Sequence, residues 1–175
     1  MFLFSVLVPF NGELFAQNGK YVLVYENRQE AVESYIKSGF DVIEVYESFF
    51  YANITHEQEQ LLIERNISYT ELKDIGIIKY AGYTFTSDGA KNMKYPPEIE
   101  SKLGSYPADS YSIFLLQFIG PIKQEWKYEL ESMDVKFYFS APSFAFLVKT
   151  KGNNLSSIKE KRFVRTAGYI PPYLK

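Results

Sequence analysis

The chain has 175 residues, of which 46% are apolar, 18% aromatic and 23% charged, enough to close one ordinary domain or two small ones and too apolar for a disordered polymer. A net charge of −2 supplies no global field for capturing a polyanion, which counts against nucleic acid as the main partner. With no cysteine, disulfides, thiolate metal sites and a cysteine nucleophile are all excluded.

At the start, Phe2 to Phe10 is almost wholly apolar, and Leu14-Phe15-Ala16 ahead of Gln17 has the small-residue form of a secretory cleavage site. Residues 1–19 therefore read as a truncated secretory signal, which places the protein outside the cytoplasm, with a terminal strand as the alternative. A basic leader is missing and Pro9 interrupts the run. As a helix the run reaches about 14 Å, short of the ~30 Å hydrocarbon core, so no membrane span is expected.

Residues 20–86 read as a first βαββαβ repeat. Tyr21 to Tyr25 is a strand, and Asn27 with Glu30 three residues on has the form of a capping box opening a helix. Ala31, Val32, Tyr35 and Ile36 make its apolar stripe and Gly39 closes it. Asp41 to Tyr46 and Phe49 to Ala52 make a hairpin. Thr55 with Gln58 is a second capping box, leading into Leu61, Leu62 and Ile63, and Ile67 to Leu72 is the fourth strand. Ile75 to Phe85 continues extended. Residues 87–110, punctuated by Gly89, Pro96-Pro97, Gly104 and Pro107, read as a linker with at most a helical turn near Glu98 to Leu103.

Residues 111–175 repeat the order. Ile113 to Phe118 is a strand, and Gly120-Pro121 supplies an N-cap and first-turn proline for a helix carrying Ile122, Trp126, Leu130 and Met133. Val135 to Phe139 and Phe144 to Val148 form a hairpin about Ala141-Pro142. Gly152-Asn153-Asn154 opens a short helix with Leu155 and Ile158, and Phe163 to Arg165 is the last strand. Phe40-Asp41-Val42 answers Met133-Asp134-Val135, and Ala81-Gly82-Tyr83 answers Ala167-Gly168-Tyr169, which supports duplication. The expected class is α+β: tandem ferredoxin-like (βαββαβ) repeats, each an antiparallel sheet with its helices on one face.

The side-chain inventory argues against catalysis, and neither a catalytic residue nor a cofactor is expected. His56 is the one histidine and sits in a helix first turn, which leaves no general base for a serine or cysteine nucleophile and no zinc set. The carboxylate pairs Glu44/Glu47 and Glu57/Glu59 fall on outer faces. No phosphate-cradling glycine motif occurs. The runs Ile113 to Phe118 and Ser143 to Val148 superficially resemble the stacking strands of an RNA-recognition motif, but Pro142-Ser143 stands where a basic-glycine pair belongs, so nucleic-acid binding ranks third among the functions.

A more specific likeness runs through Leu116-Gln117-Phe118-Ile119-Gly120-Pro121-Ile122, Glu125-Trp126-Lys127, Ser143 to Val148, Phe163-Val164-Arg165, Gly168-Tyr169 and Pro172-Tyr173-Leu174-Lys175. This set resembles the N-terminal prodomain of secreted subtilisin-like serine proteases. The resemblance implies a module that binds the protease domain in cis or trans, helps it fold and blocks its active site. The alternative is an extracytoplasmic structural or protein-interaction module with no protease partner.

Both faces of the strand Ile113 to Phe118 are apolar while helices cover one. The other face, with Tyr138, Ala145 and Leu147, is expected to lie open to a partner or to self-association through open sheet faces. The tail Tyr169, Ile170, Pro171, Pro172 and Tyr173 must run extended past its prolines, and by the resemblance it lies in the protease cleft like a substrate.

Overall fold

The computed structural model describes residues 19–88, 90–104 and 108–174. It is a mixed α+β structure with antiparallel sheets, and it divides into two compact units, Met1–Leu72 and Lys73–Lys175. The expected signal segment lies outside the described residues, except for Gly19.

The first unit runs β1 (Lys20–Val24), α1 (Gln29–Lys37), β2 (Asp41–Val45), β3 (Phe50–Ile54), α2 (His56–Glu64) and β4 (Tyr69–Leu72). Its strands lie in the order β2-β3-β1-β4, all neighbours antiparallel. Val22 and Val24 of β1 and Phe50, Ala52 and Ile54 of β3 point to one face and are buried there with Val32, Tyr35 and Leu62 from the helices. Period-2 strands meeting a period-3.6 stripe explain why these positions, and not their polar neighbours, are apolar.

Helix starts and stops follow local chemistry. Thr55 Oγ1 accepts from the Gln58 N–H at 3.3 Å and Gln58 Oε1 accepts from the Thr55 N–H at 2.9 Å, the expected reciprocal box. The box expected at Asn27 does not form. Glu26 accepts from the backbone N–H groups of Asn27 (3.0 Å) and Arg28 (3.1 Å), the Asn27 side chain donates to Glu47 O, and α1 starts one residue later than that box would set it, with Arg28 as N-cap and no side-chain cap. The helix expected directly after Gly120-Pro121 likewise begins further on, at Gln124 with Lys123 as N-cap.

The second unit opens with a meander, β5 (Ile77–Tyr80), β6 (Tyr83–Ser87) and β7 (Met93–Lys94), followed by a short helix α3 (Pro97–Glu100). Ile75 to Phe85, expected to continue the first repeat, therefore belongs to the second unit, and the segment expected as a linker carries β7 and α3. The larger sheet follows: β8 (Tyr111–Phe118), α4 (Gln124–Ser132), β9 (Lys136–Ala141), β10 (Ala145–Lys151), a 3-10 turn (Gly152–Asn154), α5 (Leu155–Glu160) and β11 (Val164–Tyr169), ending in a 3-10 turn (Pro172–Leu174). Its strand order is β11-β8-β10-β9.

Alternation along β8 sends Phe114, Leu116 and Phe118 to the helix side. There Phe118 stacks on Trp126 (6.0 Å) and Phe163 (6.1 Å), and Trp126 stacks on Phe163 at 5.3 Å, forming an aromatic core. Leu115 faces the other way and is buried with Ala145 and Leu147 beneath Ile78, Phe85, Met93 and Ile99 of the meander and α3. Gln117 pins the start of this cover: its Nε2 donates to the carbonyls of Ile75 (2.6 Å) and Ser143 (2.9 Å). Lys91 O accepts from Thr166 Oγ1 at 3.1 Å, and Asn92 bridges to Ala167, so the meander also guards the β11 edge.

The repeat signal splits under this geometry. After α1 and α4, Gly39 (φ 86°) and Asp134 (φ 63°) take the left-handed conformation. The next N–H then reaches back five residues, Phe40 to Tyr35 O (3.0 Å) and Val135 to Leu130 O (3.2 Å). Phe40 thus corresponds to Val135, two residues away from its partner Met133 in the tripeptide pairing. Ala81-Gly82 is the β5–β6 turn (φ 50° and 80°), whereas Ala167-Gly168 lies inside β11, so that second match is not a structural equivalence.

Candidate functional site

One constellation of reactive groups occurs in the first unit. Glu59, expected on an outer face, is buried. Its carboxylate accepts from Lys20 Nζ at 2.8 and 2.7 Å and from the Tyr69 hydroxyl at 2.8 Å, with His56 Nδ1 at 3.6 Å. Those bonds hold the Glu59 carboxyl below its ordinary value of 4.5, chiefly through Lys20 and then Tyr69. They also raise the Lys20 ammonium and the Tyr69 hydroxyl.

Acid, amine, phenol and imidazole together suggest proton transfer, but the carboxylate is buried and already accepts three hydrogen bonds from Lys20 and Tyr69. The cluster instead ties β1, α2 and β4 together. A carboxyl depressed in the fold stabilises fully above its unfolded value, and that contribution is lost as pH falls through the folded value. The first unit is therefore expected to lose stability progressively below about pH 4.5, and Glu59→Gln to flatten that slope in chemical denaturation followed against pH.

The expected binding residues separate. Ala145, Leu147, Ile170 and Pro171 are buried, Tyr169 is half-buried against Phe114 (6.0 Å, edge-on), and Tyr173 is exposed. Pro172 opens the last 3-10 turn, and Leu174 packs into the same core as Leu147. The open sheet face expected at Ala145 and Leu147 is thus covered by the meander, and the tail expected to extend folds down onto it. Tyr138 remains outside at 51% exposure, with Phe139 at 69%.

Part of that sheet face stays accessible. Across β8, β10 and β9 the registered rows on this face are Leu115–Leu147–Phe139, then Ile113–Lys149–Lys136, then Tyr111–Lys151. The meander covers the first row and reaches the second only through Tyr80 beside half-buried Ile113. Tyr138 is the extra residue of a bulge, because Phe139 faces Leu147 while Phe137 faces Val148. Tyr80, Ile113, Tyr138, Phe139 and Leu147 enclose an apolar cleft of about 140 Å³ at the edge of the cover. Beside it, Lys149 and Lys151 each hold an ammonium 5.6 Å from the Tyr111 ring centroid, and the Tyr111 hydroxyl donates to Asp134.

Residues 79–171 match the model of a domain family of unknown function, DUF8729, and that stretch is more than half of the chain. The chain belongs to the DUF8729 family. No curated protein and no solved structure matches it. The DUF8729 segment starts inside β5 and ends at Pro171, so it takes in the meander, the larger sheet and the uncovered rows within one unit.

The DUF8729 unit is also basic, which the overall charge conceals: residues 73–175 hold 15 Lys and Arg against 10 Asp and Glu, while residues 1–72 hold 4 against 11. Counting charge by halves would have found this. Lys79, Lys136, Lys149 and Lys151, absent from the sequence-based expectation, carry part of it. A second cleft of the DUF8729 unit, about 250 Å³, runs between Met93, Tyr95 and Leu103 on one side and Leu155, Lys159 and Tyr169 on the other. Burial pushes the Lys159 ammonium down, and its Nζ donates to Asn92 Oδ1 at 2.9 Å, closing the seam between meander and α5. Among the described residues no helix is long and apolar enough to cross a membrane, and no group of three or more acidic, histidine or cysteine side chains converges as a metal set.

Proposed function

We propose that the chain is a non-catalytic, extracytoplasmic protein-binding module built from two tandem ferredoxin-like units, the second overlaid by its own meander. The ferredoxin-like reading is supported by one strand-helix-strand-strand-helix-strand order occurring twice, with the first and third strands central in both sheets. The binding reading is carried by a single observation: the meander covers only part of the sheet face and leaves Tyr111, Tyr138 and Phe139 exposed around an apolar cleft. The non-catalytic reading rests on a Glu59 carboxylate that is buried and tied to Lys20 and Tyr69, and on a chain with one histidine and no cysteine. The extracytoplasmic reading rests on the apolar run Phe2 to Phe10 and the cleavage-like Leu14-Phe15-Ala16 that follows it.

A subtilisin-like protease as the partner has less support from this geometry, because the tail that would enter its cleft is folded into the core through Ile170 and Leu174. A purified subtilisin-like protease is accordingly expected to keep its full rate on a peptide substrate when the chain is added. Slow, competitive inhibition would restore the prodomain reading.

The binding reading is tested by placing a photo-cross-linking phenylalanine analogue at Phe139, or at Tyr128 on α4 as an exposed control, in the producing cells. A discrete protein adduct from position 139 and none from 128 is the expected result. Indistinguishable or absent adducts would sink it.

A further inference from the structure

The uncovered rows carry three cations and few acids. Lys149 lies directly opposite Lys136 in the β10–β9 ladder, and Lys151 follows on the same face. Like charges set opposite one another weaken a strand pair, and a glutamate at either position would strengthen it. Among the described residues no carboxylate forms an ion pair with Lys136, Lys149 or Lys151. Asp134, the acid at this end of the face, is already engaged by the Tyr111 hydroxyl. An arrangement that costs the sheet stability and leaves its charge unneutralised fits a surface completed by an anionic ligand.

The adjoining cleft narrows the class. Its walls, Tyr80, Ile113, Tyr138, Phe139 and Leu147, are apolar or aromatic, and about 140 Å³ accepts one large aliphatic or aromatic side chain. A nucleic acid would stack its bases on exposed aromatic faces, yet the Tyr111 ring already has two ammonium groups over it. The bulge at Tyr138 and the charge of Lys136 blunt β9 as a template for an added strand, so the ligand is read by side chains rather than by ladder pairing.

We propose that this face binds an acidic peptide segment, its carboxylates on Lys136, Lys149 and Lys151 and one apolar anchor in the cleft beside Phe139. The proposal rests on the protein-binding reading and names the partner's chemistry.

The test uses the full chain and a short fluorescein-labelled peptide of aspartates and glutamates around one central phenylalanine, followed by anisotropy at low and high salt. Saturable, salt-sensitive binding is expected. Replacing the phenylalanine of the peptide by serine is expected to weaken it about tenfold or more, as loss of a buried aromatic does. Lys149→Glu is expected to weaken it by at least about tenfold while leaving the thermal midpoint equal or higher, since the new glutamate faces Lys136. Lys102→Glu, the same charge change outside the face, should leave binding unchanged.

Absence of saturable binding, equal binding by Lys149→Glu, equal binding of the serine peptide, or tighter binding of labelled oligo-dT would each overturn the proposal. So would sedimentation of the chain alone as a salt-sensitive dimer that Lys149→Glu dissolves, which gives the face to a second copy. A cross-link from Phe139 without peptide binding would discard the acidic ligand and leave the binding module standing.

Discussion

Gly168→Val is expected to lift the meander from the larger sheet and to destabilise the second unit by about 3 kcal/mol, the upper part of the usual overpacking range. The reason is spatial rather than conformational. A Cβ on Gly168 would stand 2.6 Å from Met93 Cβ and closer still to the Tyr95 hydroxyl. Met93 Cβ is fixed to the β7 backbone and cannot swing aside, so the strand itself must move. Gly168→Ala should show a smaller loss of the same kind. The single tryptophan, Trp126, lies in this unit and reports its unfolding by fluorescence, while amide exchange in β6 and β7 reports the cover. Unchanged stability with full protection of β6 and β7 would mean that the meander does not lie where it has been described.

Trp126→Ala should be the most damaging single change on the helix side, about 3–5 kcal/mol. The indole is 2% exposed and stacks on Phe163 at 5.3 Å and Phe118 at 6.0 Å, with interplanar angles of 8° and 13°. Truncation leaves a void bounded by rings that cannot collapse together, since Phe118 and Phe163 are held by β8 and by the backbone bond from Ile119 N–H to Phe163 O. Urea denaturation followed by far-ultraviolet circular dichroism measures it. A loss below about 1 kcal/mol would show that this aromatic cluster packs loosely.

Signals that act over a few residues were legible in the sequence. The Thr55 and Gln58 box stands where its spacing puts it, and Phe114, Leu116 and Phe118 share one face as strict alternation requires. The Asn27 signal failed because its side-chain amide is taken by the distant Glu47 carbonyl and its N–H by Glu26, contacts that local spacing does not reveal. The meander was hidden because its strands are short and its turns carry the glycine and proline that also mark linkers. Nothing local says that Ile78, Phe85 and Ile99 close over Leu115 and Leu147, since that packing joins segments far apart in the chain. Charge is legible by halves but cancels over the whole chain, and only the β9–β10 register sets Lys149 against Lys136.

The bulge at Tyr138 has a meaning for the protein in solution. With an even alternation, β9 would offer neighbouring molecules a straight, aromatic-rich outer rim on which a further chain could crystallise into a growing ribbon. One surplus residue breaks that rhythm midway through the strand. The exposed Tyr138 and Phe139 of this edge strand are therefore poorly placed to seed fibres of the chain.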